Sequence, residues 1–288
     1  MTPLVVATLN LEEGREAGML PDLVGQAGDV DLLLMQEGKN WHANAQRPRF
    51  RAEQLLSSIG LDRSLMTAGT GSMSHTLIFW RTSRVRCLAH HDPLWPGVFP
   101  GQGGPAEFAV EGFGSALTAI SVHWAYLSGD VRLDQAQQLT RFAALGVPAI
   151  IGGDLNSLWP DCPGQHEEFE PAWHRLLPHK RHHKTLPPGL RPDDGALVSD
   201  RRALTVFADA GFTSVGCIAD DMTPTVNDKA DIGQGGRIDH IVVSPALADC
   251  VLPATYAVHV SEAGSRASDH RLVSVILDLD RYAPGTTA

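Results

Sequence analysis

The chain has 288 residues, 43% of them hydrophobic and 19% charged, with a formal net charge of −10 from 23 basic and 33 acidic side chains. This is the composition of an ordinary soluble globular protein, and it lacks the bulk basic surface with which proteins collect the phosphates of long nucleic acid. No apolar run approaches the ~20 residues needed to span a bilayer.

The start, "MTPLVVATLN", lacks the charged, apolar and cleavage-site regions of an export signal and reads as an immediate first strand. A cytoplasmic, soluble protein with no membrane contact is the expectation. Cys87, Cys162, Cys217 and Cys250 are widely spaced and form no C-x-x-C pair. They are expected to be buried free thiols in a reducing compartment, with neither disulfides nor a zinc cluster.

In chain order, "LVVATLN" (4–10), "VDLLLMQE" (30–37), "TLIFW" (76–80), "ALTAISVHW" (116–124), "PAIIGGD" (148–154), "IDHIVVS" (238–244) and "RLVSVILDL" (271–279) predict strands. Between them, "AEQLLSSIG" (52–60), "RLDQAQQLTRFAAL" (132–145) and "SDRRALTVFADAG" (199–211) carry helical spacing, two of them closing on a glycine. Several strands are apolar throughout, and the alternation is not a strict βαβ repeat. That pattern fits two layered sheets with helices outside them. The stretch 158–198 is a Pro/His-rich insertion containing the run "HKRHHK" (179–184); so long an irregular segment is more often functional than part of a core. No linker or repeat divides the chain, so residues 1–288 are expected to form one domain.

The stretch "AIIGGDLNSLWPD" (149–161) runs from an apolar strand straight into Asp154 and Asn156. Alone, this could be a turn. Yet Asn10 and Glu37 also close strands, His123 nearly closes one, and Asp239 and His240 open one. Asp269 and His270 directly precede another. Taken singly, Asn10 and Asn156 could cap turns, Glu37 could be solvated, and His123 or His240 could be half-buried histidines. If the strands alternate in direction, however, these groups converge on one rim.

Metal-assisted attack of water on a phosphate ester needs such a set. Mg²⁺ takes oxygen ligands, commonly one or two carboxylates; Glu37 is the principal candidate, with Asp269 or Glu12 as a second. Asp154 can orient and deprotonate water. Asn10 and Asn156 can bind phosphate oxygens, and His270 held by Asp239 can stabilise developing charge.

The blocks "ATLNLE" (7–12), "LLLMQE" (32–37), "SVHW" (121–124), "GGDLNS" (152–157), "RIDHIVVSP" (237–245) and "SDHRLV" (268–273) cover nearly the whole chain. Together they resemble the endonuclease/exonuclease/phosphatase family, the fold shared by pancreatic-type deoxyribonuclease and abasic-site endonucleases. The resemblance implies an α/β fold, a four-layer α-β-β-α sandwich of two packed mixed sheets flanked by helices, with the site at one edge. It also implies Mg²⁺ or Mn²⁺ as cofactor, with Asp154, His270, Asn156, Asp239 and His123 catalytic and Glu37, Asp269 and Glu12 at the metal. Glu12 matches a position that is aspartate in some members, and His240 stands where a tyrosine or phenylalanine often follows "RID".

Trp41, Trp124 and Trp159 sit beside these blocks and are candidates to wall the substrate pocket or simply to pack loops. Arg47, Arg49 and Arg51 ("RPRFR") and the "HKRHHK" run are the local cationic clusters. Each could clamp a second phosphate or be a solvated surface. The acidic balance and the insertion favour a small phosphomonoester or phosphodiester as substrate over DNA or RNA. A non-catalytic binding module on this fold would have lost Glu37, Asp154 or His270, and all three are present.

Overall fold

The computed structural model describes residues 1–67, 74–91, 103–160, 162, 170–230 and 236–284. Asp161 and residues 163–169 of the Pro/His-rich stretch lie outside these described residues. The first strands are β1 (Pro3–Asn10), β2 (Leu32–Gln36), β3 (Arg63–Met66), β4 (Leu77–Trp80), β5 (Val85–His90) and β6 (Ala106–Val110). They are followed by β7 (Leu117–His123), β8 (Ala149–Asp154), β9 (Thr213–Ser214), β10 (Asp239–Val243), β11 (Ala257–His259) and β12 (Leu272–Asp278). Among the described residues they form two mixed six-stranded sheets, ordered β11-β12-β1-β2-β4-β3 and β5-β6-β7-β8-β10-β9.

Side-chain alternation explains how these sheets stack. In β1 and β2, Leu4, Val6, Leu32 and Leu34 point into the space between the sheets, where they share a buried cluster with Phe108, Ala119, Ile150 and Ile241 of the second sheet. Their neighbours Ala7, Leu9, Leu33 and Met35 point outward onto α1 (Leu20–Val24) and α2 (Ala43–Leu56). On the other side, Ile120, Val122, Ile151 and Val242 meet Ala136 and Leu139 of α3 (Gly129–Leu139) and Phe207 of α5 (Arg202–Asp209). Strands covered on both faces read as unbroken apolar runs, which is why the central ones were legible. The remaining short helices are α4 (Pro178–Arg181), α6 (Val215–Ile218) and α7 (Glu262–Ala267).

Five strands (β3, β5, β6, β9 and β11) were not anticipated. β3, β5, β9 and β11 lie at sheet edges, and β6 lies next to one. One exposed face there breaks up the apolar pattern, as in β5, where exposed positions alternate with buried or half-buried ones. The helix expected at 52–60 begins earlier, at Ala43, with Asn44, Ala45 and Gln46 at positive φ before its regular turns.

The cysteine expectation is corrected. Cys162 and Cys217 are disulfide-bonded, with Cα atoms 5.8 Å apart, while Cys87 and Cys250 are free. The two partners are 55 residues apart in sequence. Cys162 follows the end of β8 and Cys217 lies in α6, and both pack on the same outer cluster over the second sheet, an adjacency that spacing cannot reveal. Among the described residues, no helix is long and apolar enough to cross a membrane.

Strand directions bring the polar ends to one edge. β1 and β2 are parallel, pairing Asn10 with Gln36, and β7 and β8 are parallel, pairing His123 with Asp154. β10 runs antiparallel to β8, so its first residue, Asp239, pairs with Asp154. β12 is antiparallel to β1, which sets the preceding Asp269 and His270 at the same edge.

Gly153 marks the close approach that this edge requires. Its φ is +149°, and an added Cβ would run into the Val122 carbonyl oxygen of β7. Gly153→Ala is therefore expected to lower unfolding free energy by about 3 kcal/mol or more, combining backbone strain with a clash against a fixed strand. Urea denaturation checks this, and a loss below about 1 kcal/mol would contradict the close approach.

Candidate active site

Asp154 is the hub. Its carboxylate is 2% exposed, and such a group must be paired to be tolerated inside a protein. Oδ1 accepts from the backbone N–H of Asn156 at 2.9 Å, and Oδ2 accepts from Asn10 Nδ2 at 3.1 Å. His123 Nε2 lies 3.5 Å and His270 Nε2 3.7 Å from Oδ2. Burial pushes the Asp154 carboxyl up, but His270, His123 and Lys184 outweigh it and hold it below the usual range. Asp154 is thus maintained as a carboxylate.

Asn10 joins the two sheets. Besides Asp154, its amide donates to Glu37 Oε1 at 3.0 Å, and its own oxygen accepts from the Glu12 N–H at 3.1 Å. Fully buried, it holds two carboxylates in place from beneath. The other Glu37 oxygen accepts from the Glu13 N–H at 2.7 Å. His123 Nε2 is 3.8 Å from Glu37 Oε1. Glu37 and Asn156 both adopt positive φ, +61° and +47°, a conformation that is rare outside glycine and recurs at functional sites.

His270 is oriented by Asp239. Nδ1 lies 3.0 and 2.9 Å from the two Asp239 oxygens, and Thr225 Oγ1 donates to Asp239 Oδ2 at 2.7 Å. The Ser268 hydroxyl accepts from the His270 N–H and donates to the Asn10 carbonyl, tying the "SDH" turn to the end of β1. Burial opposes the imidazolium, but the carboxylates of Asp239, Asp154 and Asp269 prevail and push His270 up to about 10. With Nδ1 engaged, Nε2 is the atom turned towards Asp154 and Asp269.

A cavity of about 350 Å³ opens over these groups, lined by Glu37, Asp154, Asp269, His123, His270 and Asn156. Two carboxylates there, Glu37 and Asp269, are partly exposed, with side chains 21% and 28% accessible. Their oxygens suit a hard divalent cation. Ligand atoms of Asp154, Asp239 and His270 also lie within 4.8 Å of one another, a second grouping that could hold a metal.

Some expected residues lie elsewhere. The Glu12 carboxylate turns to Arg15 at 3.2 Å and does not line the cavity. Trp41, Trp124 and Trp159 are buried, at 3%, 1% and 3% exposure, and none lines it. Trp124 packs edge-on against Phe207, and Trp159 lies near His240, whose Nε2 meets the Ser157 carbonyl oxygen. Arg47 and Arg51 line a different cavity with Arg15 and Trp41. The aromatic wall is instead Tyr126, and the cavity is further lined by Lys180, Lys184 and Lys229, with no site role foreseen for Tyr126 or Lys229. Lys180 and Lys184 were visible only as part of the "HKRHHK" run, where a solvated charge looks the same.

In metal-free protein, the His270 imidazole is expected to titrate near pH 10, staying protonated through neutrality. Asp239→Asn should lower that midpoint by about one unit or more. Histidine NMR titration reads both, and a wild-type midpoint near 6.5 would contradict this electrostatic picture.

Solved structures with the same fold include an AP endonuclease from Archaeoglobus fulgidus, 17% identical with a TM-score of 0.61, covering 96% of this chain and 99% of that one. A 3′ phosphatase from Neisseria, solved with a product DNA hairpin, is 16% identical with a TM-score of 0.58 and coverage of 96% and 99%. A mannosyl-6-phosphatase from Bacteroides thetaiotaomicron is 16% identical with a TM-score of 0.55 and coverage of 94% and 98%. No curated protein matches the sequence. Residues 7–270 match the model of one family, a span that includes Asn10, Glu37, His123, Asp154, Asn156, Asp239, Asp269 and His270. By that match the chain belongs to the Endonuclease/Exonuclease/phosphatase family, whose members are hydrolases of phosphate esters and generally depend on a divalent metal.

Proposed function

We propose that this chain is a Mg²⁺- or Mn²⁺-dependent phosphoric ester hydrolase acting on a small phosphomonoester or phosphodiester by attack of water. The observation that carries this reading is the arrangement about Asp154. One buried carboxylate is linked through Asn10 to Glu37 and lies 3.7 Å from the Asp239-held His270.

Glu37, supported by Asp269, would hold the metal, which when bound supplies Lewis-acid stabilisation of phosphate charge. Asp154, kept ionised by its cationic neighbours, orients the attacking water and takes its proton. His270 presents a protonated Nε2 to a non-bridging oxygen as charge develops there, and Asp239 fixes that orientation. His123 and Asn156 line the cavity where the phosphate sits. Asn10 acts from beneath as a positioning residue. The buried tryptophans serve packing, and Tyr126 supplies the aromatic surface that a substrate meets. A cavity of this size suits a small molecule, and the net charge of −10 disfavours a polynucleotide.

Asp154→Asn and His270→Ala should each reduce turnover by ~100-fold or more with the fold intact, as expected for loss of a general base or a transition-state donor. Phosphate release from nucleotides, sugar phosphates, dinucleotides and DNA, with circular dichroism as the folding control, tests this. Near wild-type rates in either variant would refute the mechanism. EDTA should abolish activity, and Glu37→Gln should raise the Mg²⁺ concentration for half-maximal rate by about tenfold or more. An unchanged Mg²⁺ titration would remove Glu37 from the metal.

A further inference from the structure

Only four residues in the chain are lysines, and three of them, Lys180, Lys184 and Lys229, line the cavity above Glu37, Asp154 and Asp269. The fourth, Lys39, pairs with Glu13, whose backbone N–H holds Glu37. In an acidic chain this is a pronounced local concentration of positive charge.

Lys184 is 7% exposed. Its ammonium donates to Asn156 Oδ1 at 3.2 Å and stands 4.4 Å from the centre of the Tyr126 ring, a cation–π contact that offsets part of its burial cost. The segment that presents it is anchored. Arg132, 1% exposed, donates to the carbonyls of Ala125 and His183, each at 2.9 Å, and the Asp200 N–H donates to the Lys184 carbonyl at 2.9 Å. A bridge between Thr185 and Ser199 closes the base of the segment. This described part of the Pro/His-rich insertion is therefore a docked wall of the cavity, carrying Lys180 and Lys184. Lys229 comes from a separate loop, its Nζ 3.4 Å from the Arg266 carbonyl. Among the described residues, no carboxylate forms an ion pair with Lys180 or Lys229.

His123, Asn156 and His270 with a metal already account for one phosphate. Lys180 and Lys229 add two further ammonium groups to the same cavity, beside a Lys184 already engaged with Asn156 and Tyr126. We propose that Lys180, Lys184 and Lys229 form an anion subsite selecting a small phosphate ester that carries a second phosphate beside the one that reacts. This rests on the phosphoesterase reading above. The ammonium group suits that task because it meets phosphate as a point charge from several directions.

The test compares glucose 6-phosphate with glucose 1,6-bisphosphate, by Mg²⁺-dependent phosphate release and by calorimetry on the metal-free protein. The wild type should show a KM about tenfold or more lower for the bisphosphate, with the same order in binding, as expected for charge-assisted contacts. The double variant Lys180→Met/Lys229→Met should bring the ratio of the two KM values close to one. Lys180→Arg/Lys229→Arg should retain it, which separates charge from folding. A ratio near one in the wild type, or one unmoved by the methionine pair, overturns the subsite while continued release from glucose 6-phosphate leaves the hydrolase reading intact. No release from any ester, with lysine-dependent bisphosphate binding still seen in calorimetry, supports the subsite and removes the hydrolase reading. Preferential cleavage of a single-stranded oligonucleotide that the methionine pair abolishes would overturn the small-molecule class, assigning the lysines to a nucleic-acid backbone.

Discussion

A buried carboxylate cannot stay ionised without partners, and the partners of Asp154 organise this molecule's working edge. Asn10 reaches it from the first sheet. His123 approaches from the neighbouring strand, Asn156 from the turn that follows, and His270 from the segment leading into the last strand. Apart from the local Asn156 contact, each crosses a different topological connection. The cost of desolvating Asp154 is thus met only when both sheets are correctly stacked and in register. The site and the sandwich are in this sense one cooperative unit.

The same constraint explains the local backbone. Gly153 must pass close to Val122 so that β8 and β7 can run side by side and deliver Asp154 next to His123. Beyond it, Asn156 turns at positive φ, returning its N–H to Asp154 while its side chain spans the Trp124 carbonyl and Lys184. Glu37 turns likewise at the end of β2, where the Glu13 N–H and the Asn10 amide fix both its oxygens. Strained turns at two strand ends, held by fixed hydrogen bonds, give a preorganised floor. Carboxylates (Glu37, Asp154, Asp269) and lysines (Lys180, Lys184, Lys229) share the lining of this cavity.

The central strands and the polar groups at their ends were readable because each is a local pattern. Runs such as "PAIIGGD" are buried on both faces and so stay apolar, and Asp154 ends that run where the sheet meets the cavity. The edge strand β5 was not readable, since one solvated face dilutes its pattern. Glu12 and Glu37 look alike as acids near strand ends, yet Arg15 draws Glu12 away while two donors hold Glu37 in the cavity. Trp41, Trp124 and Trp159 are buried and do not line this cavity, because adjacency in sequence says nothing about which side of a loop faces solvent.

By itself the sequence determined the layered α/β class, the convergence of Asn10, Glu37, His123, Asp154, Asp239 and His270, and the chemistry that such donors can share. Periodicity and residue type carry that information, since both are set within a few residues. Tertiary structure alone decided the pairing of Cys162 with Cys217, the burial of Lys184 against Tyr126, and the anchoring of the segment at His183 by Arg132. It also decided that Asn10 serves two carboxylates at once. These are contacts between segments distant along the chain, and their geometry exists only after the two sheets have packed.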